Sequence, residues 1–157
     1  MVKKMGVMPE AELVQNTFTI REMHAPPSIE LTKRGLLRWF ALAAGLISEK
    51  ESRTSVFDVL DALFYFQFGK KVKPTSNDLK EHLEGKVSEK LLRYHLKRLV
   101  DVGLIERKKL KYSFAVDPRA EADNIRAGFR HNVAGKVENA LKEAEIVLGK
   151  LAEMYTK

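Results

Sequence analysis

SEKLLRYHLKRLVDVGLIERKKLKYSFAV, residues 88–116, decides how this chain is read. Ser88 is a good helix N-cap, and from it Leu92, Leu96 and Leu99 recur at helical spacing on one face. Lys90, Arg93, Tyr94, Lys97 and Arg98 take the remaining faces, so the predicted helix is apolar on one side and cationic on the other. Gly103 stands where a left-handed C-terminal cap is wanted. Beyond it Leu104, Ile105 and the alternation Tyr112, Phe114, Val116 predict two short strands joined at Lys108 to Lys111.

A basic amphipathic helix running directly into a small basic hairpin is the outline of a winged helix. The run Arg93-Tyr94-His95-Leu96-Lys97-Arg98-Leu99 followed by Val100-Asp101-Val102-Gly103-Leu104-Ile105 resembles the "HL, two residues, L, three residues, GLI" signature of winged helix-turn-helix regulators, in particular the ArsR-like group of bacteria and archaea. The resemblance implies a mainly α fold with a small β wing, extra N- and C-terminal helices that build a homodimer, and a recognition helix for double-stranded DNA. It places His95 at the family's "HL" position, with a packing or capping role. Leu91 stands where many family members carry a small polar residue, and the turn Gly85-Lys86-Val87 is a residue or two longer than the family's usual one.

Working outward, Ser76 is read as the cap of Asn77 to Glu84, whose Leu79 and Leu83 point inward; this is the first helix of the pair. Lys71-Val72-Lys73 before Pro74 is read as a lone strand pairing with the wing. Upstream, Thr54 or Ser55 caps a helix over Val56 to Phe68, and Thr32 caps a very apolar helix reaching Ile47. In the latter Leu36 and Phe40 are candidates for a dimer contact. Thr17 to Arg21 alternates like a short strand within an arm that packs on a partner subunit or is disordered. After the Asp117-Pro118 break, helix resumes near Ala120, is weakened by Gly128 and Gly135, and runs long from about Asn132. Val137, Ala140, Ala144, Val147, Leu151 and Met154, flanked by Leu141, Leu148 and Tyr155, form a heptad seam. Dimerisation through Val137, Leu141, Ala144, Leu148 and Leu151 competes with a helix folded back on its own core. The domains are then an arm, 1–31, an N-terminal helix and link, 32–53, the winged helix, 54–117, and a C-terminal helical dimerisation region, 118–157.

Length and composition set the outer bounds. A chain of 157 residues holds one domain with a real core. With 45% hydrophobic and 31% charged residues, the composition is that of an ordinary globular protein. It has no cysteine, which excludes disulfides, zinc ribbons and thiol sensing. With no apolar leader, and with Leu36 to Ile47 too short and too charged to span a bilayer, a cytoplasmic location is expected. The net charge of +7 is localised: residues 70–111 hold 13 Lys and Arg against 6 Asp and Glu, while the remainder holds 15 of each. A polyanion-binding face concentrates charge in this way, because each phosphate neutralised releases condensed counterions. The competing reading is a solvated surface in a thermophile-like composition.

Candidate DNA contacts follow from that segment. Near the helix N-terminus, Lys86, Ser88, Lys90, Leu91, Arg93, Tyr94 and Lys97 are placed to meet the major groove, with Glu89 among them. Arg93 can read guanine through O6 and N7 together, Lys90 less selectively, while Tyr94 and Lys97 hold phosphates. Leu91 either meets a thymine methyl or belongs to the core. In the wing, Arg107, Lys108, Lys109 and Lys111 suit backbone or minor-groove contact, or else protect a hairpin edge from aggregation. Lys70, Lys71 and Lys73 are weaker phosphate candidates. His82 and His95 read as partly buried members of the motif helices, and His24 and His131 are isolated. No metal, cofactor or catalytic set is expected, and Glu143 and Glu145 read as solvated charges. The expected function is a sequence-specific DNA-binding transcriptional regulator acting as a homodimer, with a small-molecule effector left open. The alternatives are a winged helix used as a protein-interaction module in a transcription or chromosome assembly, and binding of structured RNA.

Overall fold

The computed structural model describes residues 10–26, 32–48 and 55–156. The link 49–53, the Thr54 cap and the ends of the arm lie outside the described residues. The described residues are mainly helical, with one two-stranded antiparallel sheet among them. In order come α1 (Glu10–Leu13), α2 (Lys33–Ala43), α3 (Ser55–Phe64), a π-helical turn (Tyr65–Gly69), α4 (Ser76–His82), α5 (Glu89–Asp101), β1 (Ile105–Lys108) and β2 (Lys111–Phe114). Then α6 (Ile125–Phe129) passes through a second π-helical turn (Arg130–Ala134) into α7 (Gly135–Tyr155).

The apolar α3 is the hub, touching α2, α4, α5 and β2. Its Phe57, Leu60 and Leu63 meet Leu79 and Leu83 from the α4 segment, Leu92, Leu96 and Leu99 from α5, and Ile105 and Phe114 from the sheet in one buried cluster. Each such side chain withdrawn from water contributes about 1.5–3 kcal/mol before entropy is counted.

Local chemistry sets the ends of the helices. Thr32 caps α2 by accepting from the Gly35 N–H at 2.9 Å. The cap of α4 is Thr75, one residue earlier than expected. Its Oγ1 accepts from the Asp78 N–H at 3.1 Å, while the Asp78 carboxylate accepts from the Thr75 N–H at 2.9 Å. With Thr75 as cap the third helical residue is Asp78, which can return the hydrogen bond, whereas a Ser76 cap would put Leu79 there; Ser76 therefore becomes the first helical residue. Helix α5 starts at Ser88 and ends before Gly103, whose φ of 89° is the left-handed value the sequence called for.

The lone strand over Lys71 to Lys73 is a correction. Lys71 has φ 58°, which turns the chain out of extension, and all that survives is an isolated bridge between Thr75 and Lys111. The outer edge of β2 is closed by other groups: the Tyr112 N–H donates to the Pro74 carbonyl at 2.8 Å and the Phe114 N–H to Gln67 Oε1 at 2.8 Å. The strand expected at Thr17 to Arg21 is also absent. The arm instead lies on its own chain, with the Arg21 guanidinium donating to the carbonyls of Leu42 (2.7 Å) and Ile47 (2.8 Å), and Trp39 Nε1 donating to the His24 carbonyl at 2.9 Å.

Helix resumes after the sheet at Ile125, later than Ala120, once Asn124 can cap it. Gly128, read as a weak point, is a contact point: a Cβ there would stand 1.8 Å from the Ala115 carbonyl oxygen. Only glycine allows α6 to lie this close to the chain leaving β2. Asn132 fastens the same crossing by donating to the carbonyls of Val116 and Gly128, both at 2.8 Å. Asp117 has its carboxyl held below the ordinary carboxylate range, first by the Arg119 backbone N–H and then by the Arg119 side chain.

Candidate nucleic-acid interface

Helix α5 presents two different faces. Leu92, His95, Leu96 and Leu99 are buried, whereas Lys90, Leu91, Arg93, Tyr94 and Lys97 are exposed. Leu91 lies on the exposed side at 37% accessibility, so it is outside the core. His95 reaches back to α3, where its Nε2 lies 2.8 Å from Ser55 Oγ, and this pair holds the buried side of α5 on the hub.

Arg98 departs from the cationic face on which the sequence put it. It turns inward, and its guanidinium donates to the carbonyls of Leu46 at 2.6 Å and Gly45 at 2.8 Å. Arg98 and Arg21 therefore grip the same turn after α2 from two sides. A helical wheel places Arg98 on the border of the apolar stripe, level with Leu91 two turns earlier. Periodicity alone does not decide which way such a residue faces.

At the N-terminal end of α5, Arg93 is 73% exposed and pairs with Glu89 at 3.1 Å. Glu89 also meets Lys80 of α4 at 3.3 Å, so its carboxylate ties the two helices together. Lys80 first, and then Arg93, hold the Glu89 carboxyl below the usual carboxylate value. The Ser88 Oγ accepts from the Leu91 N–H at 3.2 Å. Lys86 is exposed in the turn between the helices, where Gly85 adopts φ 82°.

The hairpin continues the positive surface. Its register is Ile105 with Phe114, Glu106 with Ser113, Arg107 with Tyr112 and Lys108 with Lys111. Lys109 (φ 51°) and Leu110 (φ 66°) form its tip, the double positive φ of a two-residue hairpin turn. Arg107 lies over the Tyr112 ring at 5.8 Å, and Lys108 meets Glu106 at 3.6 Å. Lys108 and Lys111 stand directly opposite one another, a like-charge pairing that opposes strand association unless an anion lies against it. Lys70, Lys71 and Lys73 are exposed before α4, with Lys70 Nζ 5.9 Å from the centre of the Tyr65 ring.

His82 is a further correction: it is exposed at the end of α4, with its ring stacked on Tyr65 at 4.6 Å, because the π-helical turn pushes Tyr65 outward beneath it. His131 meets Asp117 at 4.0 Å. Among the described residues no group of three or more His, Asp or Glu is placed to hold a metal ion, and no helix is long and apolar enough to cross a membrane.

The candidate dimer residues fall into two groups. Phe40 packs on Phe129 of its own chain, edge to face at 5.8 Å, so its ring is engaged within the subunit, whereas Leu36 remains exposed. On α7, Val137 is half-buried, and Leu141, Ala144, Leu148 and Leu151 are exposed, as is every other described residue beyond Val137. The helix does not fold back on the described core. No family model, no curated protein and no solved structure matches this chain.

Proposed function

We propose that this protein is a winged helix-turn-helix regulator that binds double-stranded DNA as a homodimer, with α5 in the major groove and the β1–β2 hairpin on the backbone or in the minor groove. The observation that carries this reading is the exposed set Lys90, Arg93, Tyr94 and Lys97 on a helix whose opposite face is locked into the core. A helix so anchored can bring a rigid cationic surface to a groove without rearranging the domain. The opposed lysines of the hairpin support the same reading, since phosphate offsets their repulsion.

Arg93 has the reach and the planar fork to read a guanine, giving up a solvent-exposed ion pair with Glu89 for two hydrogen bonds to the base O6 and N7. Lys97, Lys108, Lys109 and Lys111 supply phosphate contacts. The apolar side of α7, about 31 Å long at 1.5 Å per residue, pairs with the same helix of a second copy. Two recognition helices then enter successive major grooves about one helical turn apart.

Selection of bound fragments from genomic DNA tests this. The expected result is an inverted repeat whose half-sites are about 10 bp apart from centre to centre. Enrichment without any shared two-fold sequence contradicts it.

A further inference from the structure

Helix α2, the end of α3, β2 and α6 line a partly open pocket of about 930 Å³. That is the size of sites which hold small organic ligands, about 300–1,000 Å³. Its wall is mainly apolar, with Leu36, Trp39, Phe64, Phe114 and Phe129 among the groups facing it. Water gains little from such a wall, whereas an aliphatic or aromatic body gains the area it covers.

The polar groups of the lining are unbalanced. Lys33, Arg126 and Arg130 bring three cations, and Asp61 is the one acid among the described lining residues. None of the three cations has an ion pair with another described residue, in contrast to Arg34, which is held by Asp58 at 2.8 Å. An apolar pocket whose exposed border carries three cations against one acid matches a molecule with an apolar body and one anionic end.

We infer that this pocket is an effector site for small hydrophobic monoanions, of the chemical class of medium-chain or aryl carboxylates. Its walls connect the two parts of the molecule that DNA binding needs. Phe114 belongs to the hairpin, and α6 continues through Ala134 into α7. A ligand wedged between α2 and α6 therefore acts on both the wing and the direction in which the dimer helix leaves. The regulatory half of this inference rests on the DNA-binding reading, and the binding half does not.

Trp39, the single tryptophan of the chain, lines the pocket and reports occupancy directly. Titrating the full chain with decanoate, decanol and decyltrimethylammonium while following Trp39 emission should give saturable binding of decanoate, with the other two at least tenfold weaker. The double variant Arg126→Ala/Arg130→Ala should weaken decanoate about tenfold with unchanged thermal stability, in line with the loss of one charge-assisted contact. Leu36→Glu, an exposed change that puts a carboxylate on the wall, should do the same. Equal binding of decanoate and decanol, or no change in Trp39 emission with any of them, overturns the site. A Trp39 shift that follows protein concentration and blocks decanoate also overturns it, since a second copy then fills the space.

The regulatory half is read by the same titration in the presence of duplex DNA. Decanoate should change duplex affinity at least threefold in the wild type and not in Leu36→Glu. Bound decanoate with unaltered duplex affinity refutes the effector role. Failure to bind any duplex refutes the DNA-binding reading while leaving the Trp39 result as it stands.

Discussion

Arg93 and Arg98 lie five residues apart on one helix and should separate stability from recognition almost completely. Arg98→Ala removes two charge-assisted hydrogen bonds to the carbonyls of Leu46 and Gly45, at 2.6 and 2.8 Å. Each bond of this kind is worth about 1.5–3 kcal/mol, and the side chain is only partly buried, so water recovers part of the loss; we expect a cost of about 2–4 kcal/mol. At this chain length, that lowers Tm by roughly 5–15 °C. Arg98→Lys should regain less than half, because one ammonium does not reproduce the fork that spans two carbonyls. Arg93→Ala should change stability by no more than about 0.5 kcal/mol, since its ion pair with Glu89 is solvent-exposed. It should instead lose about 1–3 kcal/mol of discrimination at one base pair. Urea unfolding followed by circular dichroism gives the first quantity, and fluorescence anisotropy with operator and single-substituted duplexes, well below Tm, gives the second. An Arg98→Ala protein of wild-type stability that has lost duplex affinity would refute this division.

Three further outcomes follow from the geometry. Leu148 is 69% exposed on α7, so Leu148→Glu should leave the unfolding midpoint of dilute protein nearly unchanged while converting dimer to monomer in sedimentation velocity; a monomeric wild type would contradict the α7 pairing. Leu110 has φ 66°, a conformation that costs a side chain about 1–2 kcal/mol, and Leu110→Gly should therefore stabilise the protein to urea by up to about 1 kcal/mol, with any loss counting against the hairpin geometry. Glu89 has its carboxyl lowered by Lys80 and Arg93, so its folded-state contribution is present above the ordinary carboxylate pKa and is lost as pH falls through the lowered value. The Tm difference between wild type and Glu89→Gln should accordingly be largest at neutral pH and vanish in strong acid, while Glu89→Gln binds duplex more tightly at neutral pH through the loss of one negative charge beside the phosphates.

The features that were legible in the sequence are those that neighbouring residues settle among themselves. Ser88, the Leu92-Leu96-Leu99 stripe and Gly103 fix α5 because cap, apolar face and left-handed stop all fall within one short stretch. The paired strands of the hairpin were readable for the same reason. At α4 the sequence suggests Ser76 as cap, but Asp78, three residues after Thr75, carries the signal for the reciprocal cap that forms. Elsewhere the deciding partner is distant in sequence. Lys71 to Lys73 alternates like a strand, but the edge it would have covered is taken by Gln67 and Pro74. Arg98 sits at the border of two faces, and the carbonyls that draw it inward belong to the turn after α2. Gly128 reads as a helix weakener until Ala115 is brought against it. The pocket has no sequence signature, because its lining is gathered from segments scattered between Pro26 and Ala134.

The central claim is that the surface formed by α5 and the hairpin meets nucleic acid phosphates. It is tested most directly by the salt dependence of binding to bare duplex DNA. If Lys97, Lys108, Lys109 and Lys111 each meet a phosphate in both subunits, log K against log salt should fall with a slope of roughly −7. Replacing Lys109 with alanine should reduce that slope by close to two per dimer. A slope near zero, or no duplex binding at low salt together with a stable complex with an acidic protein, would contradict the account.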